Sequence, residues 1–307
     1  MTSQGRSIDE AWSIGTPAVI GYDAGAAAHA IAWLMDDPRG RRSAIIHFQG
    51  PARRLAESRG LSVTEDLAET FSAGDWALVG TGWQSDLERQ AMRICASEGK
   101  PCVAILDHWV NYPDRFTGLH PGERPQLVVV TDPVANRQAL QQLPWATVVE
   151  WPNIQRDALV KRVAQLRDSN ADYEPYILWV QEPIRDKGGR LSDPLADSRY
   201  APSIWNSLKR VANARGLNRL VIRSHPAQDR ASYGADGLYV EVHDGREVPL
   251  ADDLAGADLC VGLKSYALYL AVEAGVETAS LAHLISGASR MPAGLIPQDP
   301  ETPIGSP

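Results

Sequence analysis

The chain has 307 residues, of which 44% are hydrophobic and 22% are charged, and its formal net charge is −8. A chain of this length can bury a large core and exceeds the size of an average domain, so it predicts two domains. An acidic chain without a run of lysine and arginine interleaved with aromatic residues is a poor candidate for nucleic-acid binding, and no apolar run reaches the roughly 20 residues that cross a bilayer.

The amino-terminal residues and the cysteines bear on the cellular compartment. Residues 1–12 lack the apolar segment of a signal peptide, so we expect a cytoplasmic protein, and peripheral association with a membrane stays open. Cys95, Cys102 and Cys260 form no Cys-x-x-Cys pair and lie in apolar surroundings, so we interpret them as reduced core residues. Nothing in the sequence indicates an oligomeric state.

Short apolar runs alternate with longer helical patterns through the first half of the chain. Near-continuous apolar runs are typical of parallel strands that are covered by helices on both faces. This alternation predicts a doubly wound α/β domain over residues 1–170. The predicted strands are 17–21, 43–48, 76–80, 102–106, 126–130 and 146–150, and the predicted helices include 26–35, 86–98 and 156–168.

The pattern restarts after the polar stretch 169–175, which we interpret as a linker. The second half predicts another α/β domain over residues 174–290, followed by a tail, 291–307, that contains five prolines. We therefore expect an α/β protein with two Rossmann-like domains that face each other across a cleft. The predicted strands of the second half are 176–180, 220–222, 237–242, 258–262 and 278–281, and its helices are 204–215, 250–255 and 266–274.

Polar residues that follow the strands of the first half are candidate site residues, because ligands of such sheets bind outside the carboxyl ends of the strands. The glycine-rich turns allow a ligand to approach the backbone, although tight turns without a ligand explain them equally well. The candidates of this half are Asp23, Gly80, Thr81, Gly82, Asp107 and His108.

The stretch LDHWVNY, residues 106–112, is the most specific of these, because a buried core needs no such mixture of polar groups. A partly desolvated carboxylate at Asp107 beside an aromatic ring would have a raised pKa and could serve as a general base. The alternative is that Asp107 hydrogen-bonds its own loop. We interpret His108 as an orienting residue, since no second set of metal ligands accompanies it, and we predict no metal site.

The stretch RSHP ends a buried strand of the second half with Arg223, Ser224, His225 and Pro226. His225 can donate a hydrogen bond to a phosphate, and Pro226 would fix the turn that holds it. Arg223 is either a phosphate clamp or the partner of an acidic neighbour such as Asp229, which lies outside the residues described below, or Asp258.

The stretch GLKSYAL supplies a second candidate anion site with Lys264, Ser265 and Tyr266. The Ser265 hydroxyl and the free N–H groups of the following helix can bind an anion, and Lys264 adds positive charge; an ordinary helix cap is the alternative. Two such sites on neighbouring strands suit a nucleotide with one or two phosphates. Gln181 or Glu182, after the first strand of this half, would contact the base or the ribose.

The pair His225-Pro226, together with Ser265, resembles the HP and serine motifs of bacterial sialyltransferases and capsule polymerases, and the segments GTGWQSDLE and LDHWVNYPDRF look like parts of polysaccharide-biosynthesis proteins. The resemblance implies the two-domain GT-B glycosyltransferase fold and a CMP- or CDP-activated sugar donor, with no further cofactor. It also implies that His225 and Ser265 bind the donor phosphate, and that a carboxylate of the first domain deprotonates the acceptor. We assign that role by position to Asp107, with Asp23 second.

Three hypotheses for the function follow. The first is an inverting, metal-independent glycosyltransferase of bacterial surface glycan biosynthesis, with a nucleotide sugar and a hydroxyl acceptor as substrates. The second is a UDP-sugar 2-epimerase, in which Asp23, Asp107, His108 and His225 would surround one sugar. The third is a non-catalytic scaffold that binds a nucleotide sugar.

Overall fold

The computed structural model describes residues 8–37, 43–82, 84–169, 174–185, 191–225, 233–234, 237–285 and 296. The contacts divide the chain into two units, Met1–Gln155 and Arg156–Pro307. Each unit contains a parallel sheet with helices in its connections. Within the part of the chain that is described, no helix is both long and apolar enough to cross a membrane.

The first unit contains a six-stranded sheet with the strand order β2-β1-β3-β4-β5-β6. All six strands were predicted from the sequence. The strands are β1 (Pro17–Gly21), β2 (Ile45–Phe48), β3 (Trp76–Val79), β4 (Cys102–Ile105), β5 (Leu127–Val130) and β6 (Thr147–Glu150). The helices are α1 (Ile8–Trp12), α2 (Ala24–Asp36), α3 (Gly50–Ser58), α4 (Leu67–Ala73), α5 (Leu87–Glu98) and α6 (Pro133–Gln142), with 3₁₀ turns at Asp114–Phe116 and Pro121–Glu123.

Large aromatic side chains fill the core on one face of this sheet. The indole of Trp33 on α2 is fully buried and meets the ring of Trp151 edge-on, with ring centroids 4.9 Å apart. The Trp33 Nε1 donates a hydrogen bond to the carbonyl of Pro152 at 2.8 Å, so the buried indole keeps a partner for its polar atom. The buried alanines of α2 and the contact between Trp33 and Trp151 therefore hold α2, the helix that follows β1, in position.

The second unit contains a five-stranded sheet with the strand order β11-β10-β7-β12-β13 and a short antiparallel pair, β8 with β9. The sequence predicted the five strands of the sheet but not the short pair. The strands are β7 (Tyr176–Val180), β8 (Ile184–Arg185), β9 (Leu191–Ser192), β10 (Arg219–Ser224), β11 (Tyr239–Asp244), β12 (Ala257–Gly262) and β13 (Glu277–Ser280). The helices are α7 (Ile154–Ser169), α8 (Ala201–Arg215), α9 (Leu250–Ala255) and α10 (Tyr266–Glu273), with a 3₁₀ turn at Ala282–Leu284.

The helix α7 belongs with the second unit, whereas we predicted a first domain that extends to residue 170. The guanidinium of Arg167 donates hydrogen bonds of 3.2 to 3.3 Å to the carbonyls of Leu254, Ala255 and Ala257. These bonds hold the carboxyl end of α7 against α9 and β12. Of the predicted tail, 291–307, only Ile296 lies within the described residues. That the two domains face each other across a cleft stays a prediction.

Both sheets reverse the direction of their connections beside their first strand. In the first sheet the chain leaves β1 for β2 and then returns to β3 on the other side of β1. In the second it leaves β7 for β10 and β11 and then returns to β12 on the other side of β7. Ligands of open α/β sheets bind at such reversals, so the ends of β1 and β3, and of β7 and β12, are where site residues are expected.

Candidate functional site

The end of β1 and the end of β3 bring Asp23 and Gly82 together in the first unit. A Cβ atom on Gly82 would lie 2.3 Å from Asp23 Oδ2 and 3.1 Å from Glu88 Oε1, so only glycine fits at this position. Glu88, the second residue of α5, accepts a hydrogen bond from the N–H of Tyr22 at 2.7 Å. Burial raises the pKa of Glu88, and the hydrogen bonds that its carboxylate accepts from backbone N–H groups partly oppose this effect. Glu88 was not predicted from the sequence, because an acidic residue in the first turn of a helix is explained by the helix dipole alone.

The predicted residues Gly80 and Thr81 lie in the same turn but contact other parts of the protein. A Cβ atom on Gly80 would lie 3.3 Å from the Cβ of Ala26 on α2. The Thr81 hydroxyl donates to the carbonyl of Ile105 at 2.6 Å and accepts from Arg115 Nη1 at 2.9 Å. Thr81 therefore connects the β3 end to the loop that follows β4.

Asp107 forms an ion pair with Arg115, with 2.6 Å between Oδ1 and Nη1. The two side chains are 20% and 10% exposed. Burial would raise the pKa of Asp107, but the charge and the hydrogen bond of Arg115 outweigh it, so that the pKa is lowered. Our expectation of a raised pKa at Asp107 was therefore wrong, because the arginine eight residues further along the same loop was not considered as its partner.

The loop after β4 also fixes His108. The His108 Nδ1 accepts a hydrogen bond from the N–H of Trp109 at 2.9 Å, and the two rings meet edge-on. Trp109 Nε1 in turn donates to both carboxylate oxygens of Asp132, the residue that caps α6. Among the described residues, no group of three or more His, Cys, Asp or Glu side chains is placed to hold a metal ion.

Two further residues near Asp107 were not predicted from the sequence. His29 on α2 is 4% exposed and Tyr112 is fully buried. Burial lowers the pKa of His29, against the opposing charges of Asp107 and Asp132. Burial also raises the pKa of Tyr112, and Asp132 acts in the same direction. Both groups therefore stay neutral near pH 7 beside the Asp107–Arg115 pair.

The reversal point of the second sheet brings Glu182, after β7, to the start of α10. Glu182 Oε2 accepts a hydrogen bond from the N–H of Lys264 at 2.7 Å. Ser265 is the N-cap of α10, and its hydroxyl accepts from the N–H of Ala267 at 3.2 Å. Tyr266 follows in the first turn. The capping role of Ser265 is thus present in the structure, and a role in phosphate binding stays a prediction.

Close packing of the β7 and β12 ends requires a glycine. A Cβ atom on Gly262 would lie 2.7 Å from Val180 Cγ2 and 3.1 Å from the Val180 carbonyl oxygen. The residue after Val180 is Gln181, which is 5% exposed and whose Nε2 donates to the hydroxyl of Tyr233 at 2.9 Å. Gln181 and Glu182 therefore lie at the same strand end with different partners.

Arg223 is held by protein groups in the turn between β11 and α9 and on α9 itself. Its Nη1 lies 2.5 Å from Asp253 Oδ2 and 2.6 Å from the carbonyl oxygen of Val248. Asp253 is fully buried, so the guanidinium neutralises a buried charge. The acidic neighbour of Arg223 is thus Asp253, whereas the Asp258 that we considered pairs with Arg215.

The other residues of the RSHP stretch differ in their surroundings. Ser224 is buried, and its hydroxyl donates to the carbonyl of His243 at 3.2 Å. His225 is half-buried, and burial lowers its pKa. Pro226 lies outside the described residues. Arg223 and Ser224 bind protein groups, and a role of His225 in ligand contact stays a prediction.

His243 extends the buried charge network around Asp253. Its Nδ1 lies 2.6 Å from Asp253 Oδ1, and its Nε2 lies 2.9 Å from Glu241 Oε1. Glu241 also pairs with Arg219 at 2.6 Å. The hydrogen bond with Asp253 is the main reason why the pKa of His243 is raised, although burial opposes it.

No protein-family model matches the chain, and no curated protein matches it by sequence. Among solved structures, a UDP-N-acetylglucosamine 2-epimerase of Listeria monocytogenes, whose assignment is provisional, is similar with a TM-score of 0.55 at 13% identity; the match covers 87% of this chain and 79% of that one. The UDP-GlcNAc 2-epimerase of Methanocaldococcus jannaschii matches with a TM-score of 0.51 at 10% identity, over 87% and 83% of the two chains. The similarity to the glycotransferase of kitacinnamycin, with a TM-score of 0.49 at 15% identity over 87% and 80% of the chains, is too weak to support an argument.

These similarities concern the fold alone. They confirm the predicted class, an α/β protein with two Rossmann-like, GT-B-like domains. At 10 to 13% identity they carry no information about which residues bind or react.

Replacement of Arg115 by methionine is expected to lower the free energy of unfolding by about 3 kcal/mol, because Asp107 would remain as a largely buried charge without its partner. The Asp107→Asn/Arg115→Met double variant should lose less than the sum of the two single variants. Chemical denaturation measures all three. As a control, Arg89→Met removes an ion pair with Asp86, whose side chain is 63% exposed. This variant should lower the free energy of unfolding by less than about 1 kcal/mol. Additive costs would contradict a specific Asp107–Arg115 interaction.

His243→Gln is expected to destabilise the protein more at pH 6 than at pH 9. The pKa of His243 is raised in the folded state, so its charged form adds stability below about pH 6.5, and this contribution is lost as the pH rises through the folded pKa. His225→Gln should show the opposite trend, because burial lowers the pKa of His225 and protonation opposes folding at low pH. Thermal unfolding between pH 6 and 9 measures both; equal pH profiles for the two variants would contradict the assignment.

Proposed function

We propose that the protein is a glycosyltransferase-like enzyme that transfers a sugar from a nucleotide-activated donor to a hydroxyl acceptor. The observation that carries this proposal is the hydrogen bond from the N–H of Lys264 to the carboxylate of Glu182, at the start of α10. A helix N-terminus favours negative charge, and here a carboxylate already binds the N–H of the residue just before the N-cap Ser265, at a reversal point of the sheet. A donor phosphate oxygen fits the same requirement.

The second unit would hold the leaving nucleotide. Ser265 and the amide groups at the start of α10 would accept the phosphate, with Lys264 supplying charge and His225 a ring N–H. Glu182 would then stand next to the phosphate, where its carboxylate opposes binding at close range. Whether the donor nucleotide is of the CMP or CDP type is part of this proposal and rests on the resemblance of the His225-Pro226 and Ser265 motifs.

The first unit would supply the general base. The base removes the proton of the acceptor hydroxyl, its oxygen forms a bond to the anomeric carbon, and the bond from that carbon to the phosphate oxygen breaks with inversion. We assign the base to Asp23 rather than Asp107, since the pairing with Arg115 lowers the pKa of Asp107 and weakens it as a base. Asp23 lies at the reversal point of the first sheet, next to Gly82. Asp107 and Arg115 would position the loop.

A UDP-sugar 2-epimerase is the second candidate. Of the similar structures reported above, the epimerases of Listeria monocytogenes and Methanocaldococcus jannaschii are both named for UDP-GlcNAc, so UDP-GlcNAc is a nucleotide sugar to test first. An epimerase inverts a carbon that carries hydrogen and needs no acceptor. A transferase consumes its donor at a useful rate only when an acceptor hydroxyl is present.

Glu182→Gln is expected to tighten the binding of a nucleoside diphosphate about three- to tenfold, because it removes a negative charge beside the phosphate site. Ser265→Ala should weaken binding by a similar factor. Glu174→Gln, at an exposed position of the same unit, changes the net charge equally and serves as the control. Isothermal titration with CDP and UDP measures the affinities. Equal affinities for the Glu182→Gln and Glu174→Gln variants would contradict the phosphate site.

Asp23→Asn is expected to lower kcat at least about a hundredfold, because a general base contributes roughly 10²–10⁴-fold, and Asp107→Asn should have a smaller effect. Product formation from CMP-, CDP- and UDP-sugars with glycan acceptors measures this. Full activity of the Asp23→Asn variant would exclude Asp23 as the base. Incubation with UDP-GlcNAc alone, followed by NMR, separates the two candidates: a new UDP-sugar epimer without an acceptor would favour the epimerase.

A further inference from the structure

The amide of Gln181 lies at the carboxyl end of β7, where the second sheet reverses its connections. Its backbone N–H donates to the carbonyl of Arg223 at 3.0 Å, which continues the pairing of β7 with β10. Its side chain is almost fully buried, with 5% of the residue exposed. A buried amide with two donors and an acceptor needs partners for each of them. The donors and acceptors around Gln181 therefore determine which way its amide points.

A chain of hydrogen bonds fixes that direction, and it begins at Asp193. Asp193 Oδ1 accepts from the N–H of Leu195 at 2.9 Å, and Oδ2 accepts from the hydroxyl of Tyr233. An ionised carboxylate only accepts hydrogen bonds, so the Tyr233 hydroxyl uses its single hydrogen on Asp193. Burial raises the pKa of Tyr233, with Asp193 acting in the same direction, and the phenol therefore keeps this hydrogen at neutral pH.

The Tyr233 oxygen is left as an acceptor and faces Gln181 Nε2 at 2.9 Å. The amide cannot turn over, because its oxygen would then face an oxygen that has no hydrogen to give. Trp205 packs near the Tyr233 ring and donates from Nε1 to the carbonyl of Leu195, which ties the arrangement to α8. The nitrogen side of Gln181 is thus committed to the protein.

The oxygen side of Gln181 is not committed. Gln181 Oε1 is buried, and within the described chain no donor lies within hydrogen-bonding distance of it. Leaving a buried acceptor without a donor opposes folding, and such groups are retained where a ligand satisfies them. A ligand group that meets Oε1 has to bring a hydrogen, because oxygen facing oxygen is repulsive.

We propose that Gln181 Oε1 accepts a hydrogen bond from the nucleoside half of the bound nucleotide, from a ribose O–H or a base N–H. This inference rests on the proposed function and deepens it by assigning the nucleoside to the end of β7. Phosphate oxygens at neutral pH only accept hydrogen bonds, so they belong at the start of α10 and not at Gln181. Tyr233 and Asp193 are positioning residues, because they act on the ligand only through the Gln181 amide.

The test pairs the removal of the acceptor from the protein with the removal of donors from the ligand. The full chain is titrated with whichever of CMP, CDP, UMP and UDP binds most tightly, with its 2′-deoxy and 3′-deoxy forms, and with ribose 5-phosphate, which lacks the base. Gln181→Leu should weaken the parent nucleotide about 10- to 100-fold. It should leave unchanged the affinity of the one ligand that already lacks the donor. If the variant no longer binds the parent nucleotide more tightly than a deoxy form, the donor is the ribose hydroxyl that this form lacks. If it no longer binds the parent nucleotide more tightly than ribose 5-phosphate, the donor is a base N–H.

Tyr233→Phe tests the positioning role, since it frees the amide to rotate without touching the ligand. It should weaken the binding of the parent nucleotide about three- to tenfold and reduce the preference for the parent over the ligand that lacks the donor. Tyr239→Phe, at a position that is 67% exposed, should change neither. Gln181→Leu breaks the hydrogen bond from Nε2 to the Tyr233 hydroxyl, and Tyr233→Phe breaks that bond and the one with Asp193. Gln181→Leu should therefore unfold at no lower temperature than Tyr233→Phe, and a larger loss of nucleotide affinity in Gln181→Leu then separates the binding role of Oε1 from a structural one.

Two results would overturn the inference while the proposed function stands. One is an unchanged affinity of Gln181→Leu for the parent nucleotide. The other is an equal loss of affinity for the parent nucleotide and for every ligand that lacks a hydroxyl or the base, since that pattern indicates a general disturbance of the site. If the wild type binds none of the four nucleotides, the proposed function itself fails, and the inference fails with it.

Discussion

In each unit a carboxylate binds a backbone N–H at the point where the sheet reverses its connections. Glu88 accepts from Tyr22 after β1, and Glu182 accepts from Lys264 after β12. Tyr22 and Lys264 each lie immediately before the N-cap residue of the helix that follows, so the two carboxylates bind the turns that lead into these helices, close to the positive ends of the helix dipoles. These contacts shape the turns at both reversal points, and the positions of Asp23, Gly82 and Ser265 depend on them.

Charged residues at strand ends are ambiguous when only the sequence is known. Asp107 and Arg223 both follow or end a buried strand, and both were candidates for ligand chemistry for that reason, with a hydrogen bond or ion pair inside the protein as the alternative. In the structure Asp107 pairs with Arg115, and Arg223 pairs with the buried Asp253. Buried charges are stable only when they are paired, so each of these residues first satisfies a requirement of the fold. Groups that keep uncommitted hydrogen-bonding capacity, such as the oxygen of Gln181, are better indicators of a ligand.

The strands could be predicted because parallel strands that are covered on both faces are apolar throughout. The runs Val128–Val130 and Ile177–Val180 are buried at every position, and no other element has that signature at such short length. Partners that are distant in sequence could not be predicted in this way. Asp253 reaches Arg223 across thirty residues, and nothing in either local pattern indicates the direction of the side chains. The boundary between the units was missed for the same reason, since the contacts of Arg167 with α9 are visible only after folding.

In both enzymatic candidates the second unit would bind a nucleotide, and they differ in the base that the first unit would supply. Two groups of the second unit would serve either reaction. They are the backbone N–H of Lys264, which binds a carboxylate, and the side-chain oxygen of Gln181, which lacks a donor within the described chain. The reaction would be decided by the base of the first unit, which we propose to be Asp23, since the lowered pKa of Asp107 counts against Asp107 in both reactions. A carbon-bound hydrogen is far less acidic than a hydroxyl, so epimerisation would demand a stronger base or more charge stabilisation than transfer. His29 and Tyr112 are neutral, and Arg115 is already paired with Asp107, so none of these three groups adds an unpaired positive charge that would stabilise a carbanion. This is one reason why we propose glycosyl transfer, which makes the weaker demand, before epimerisation.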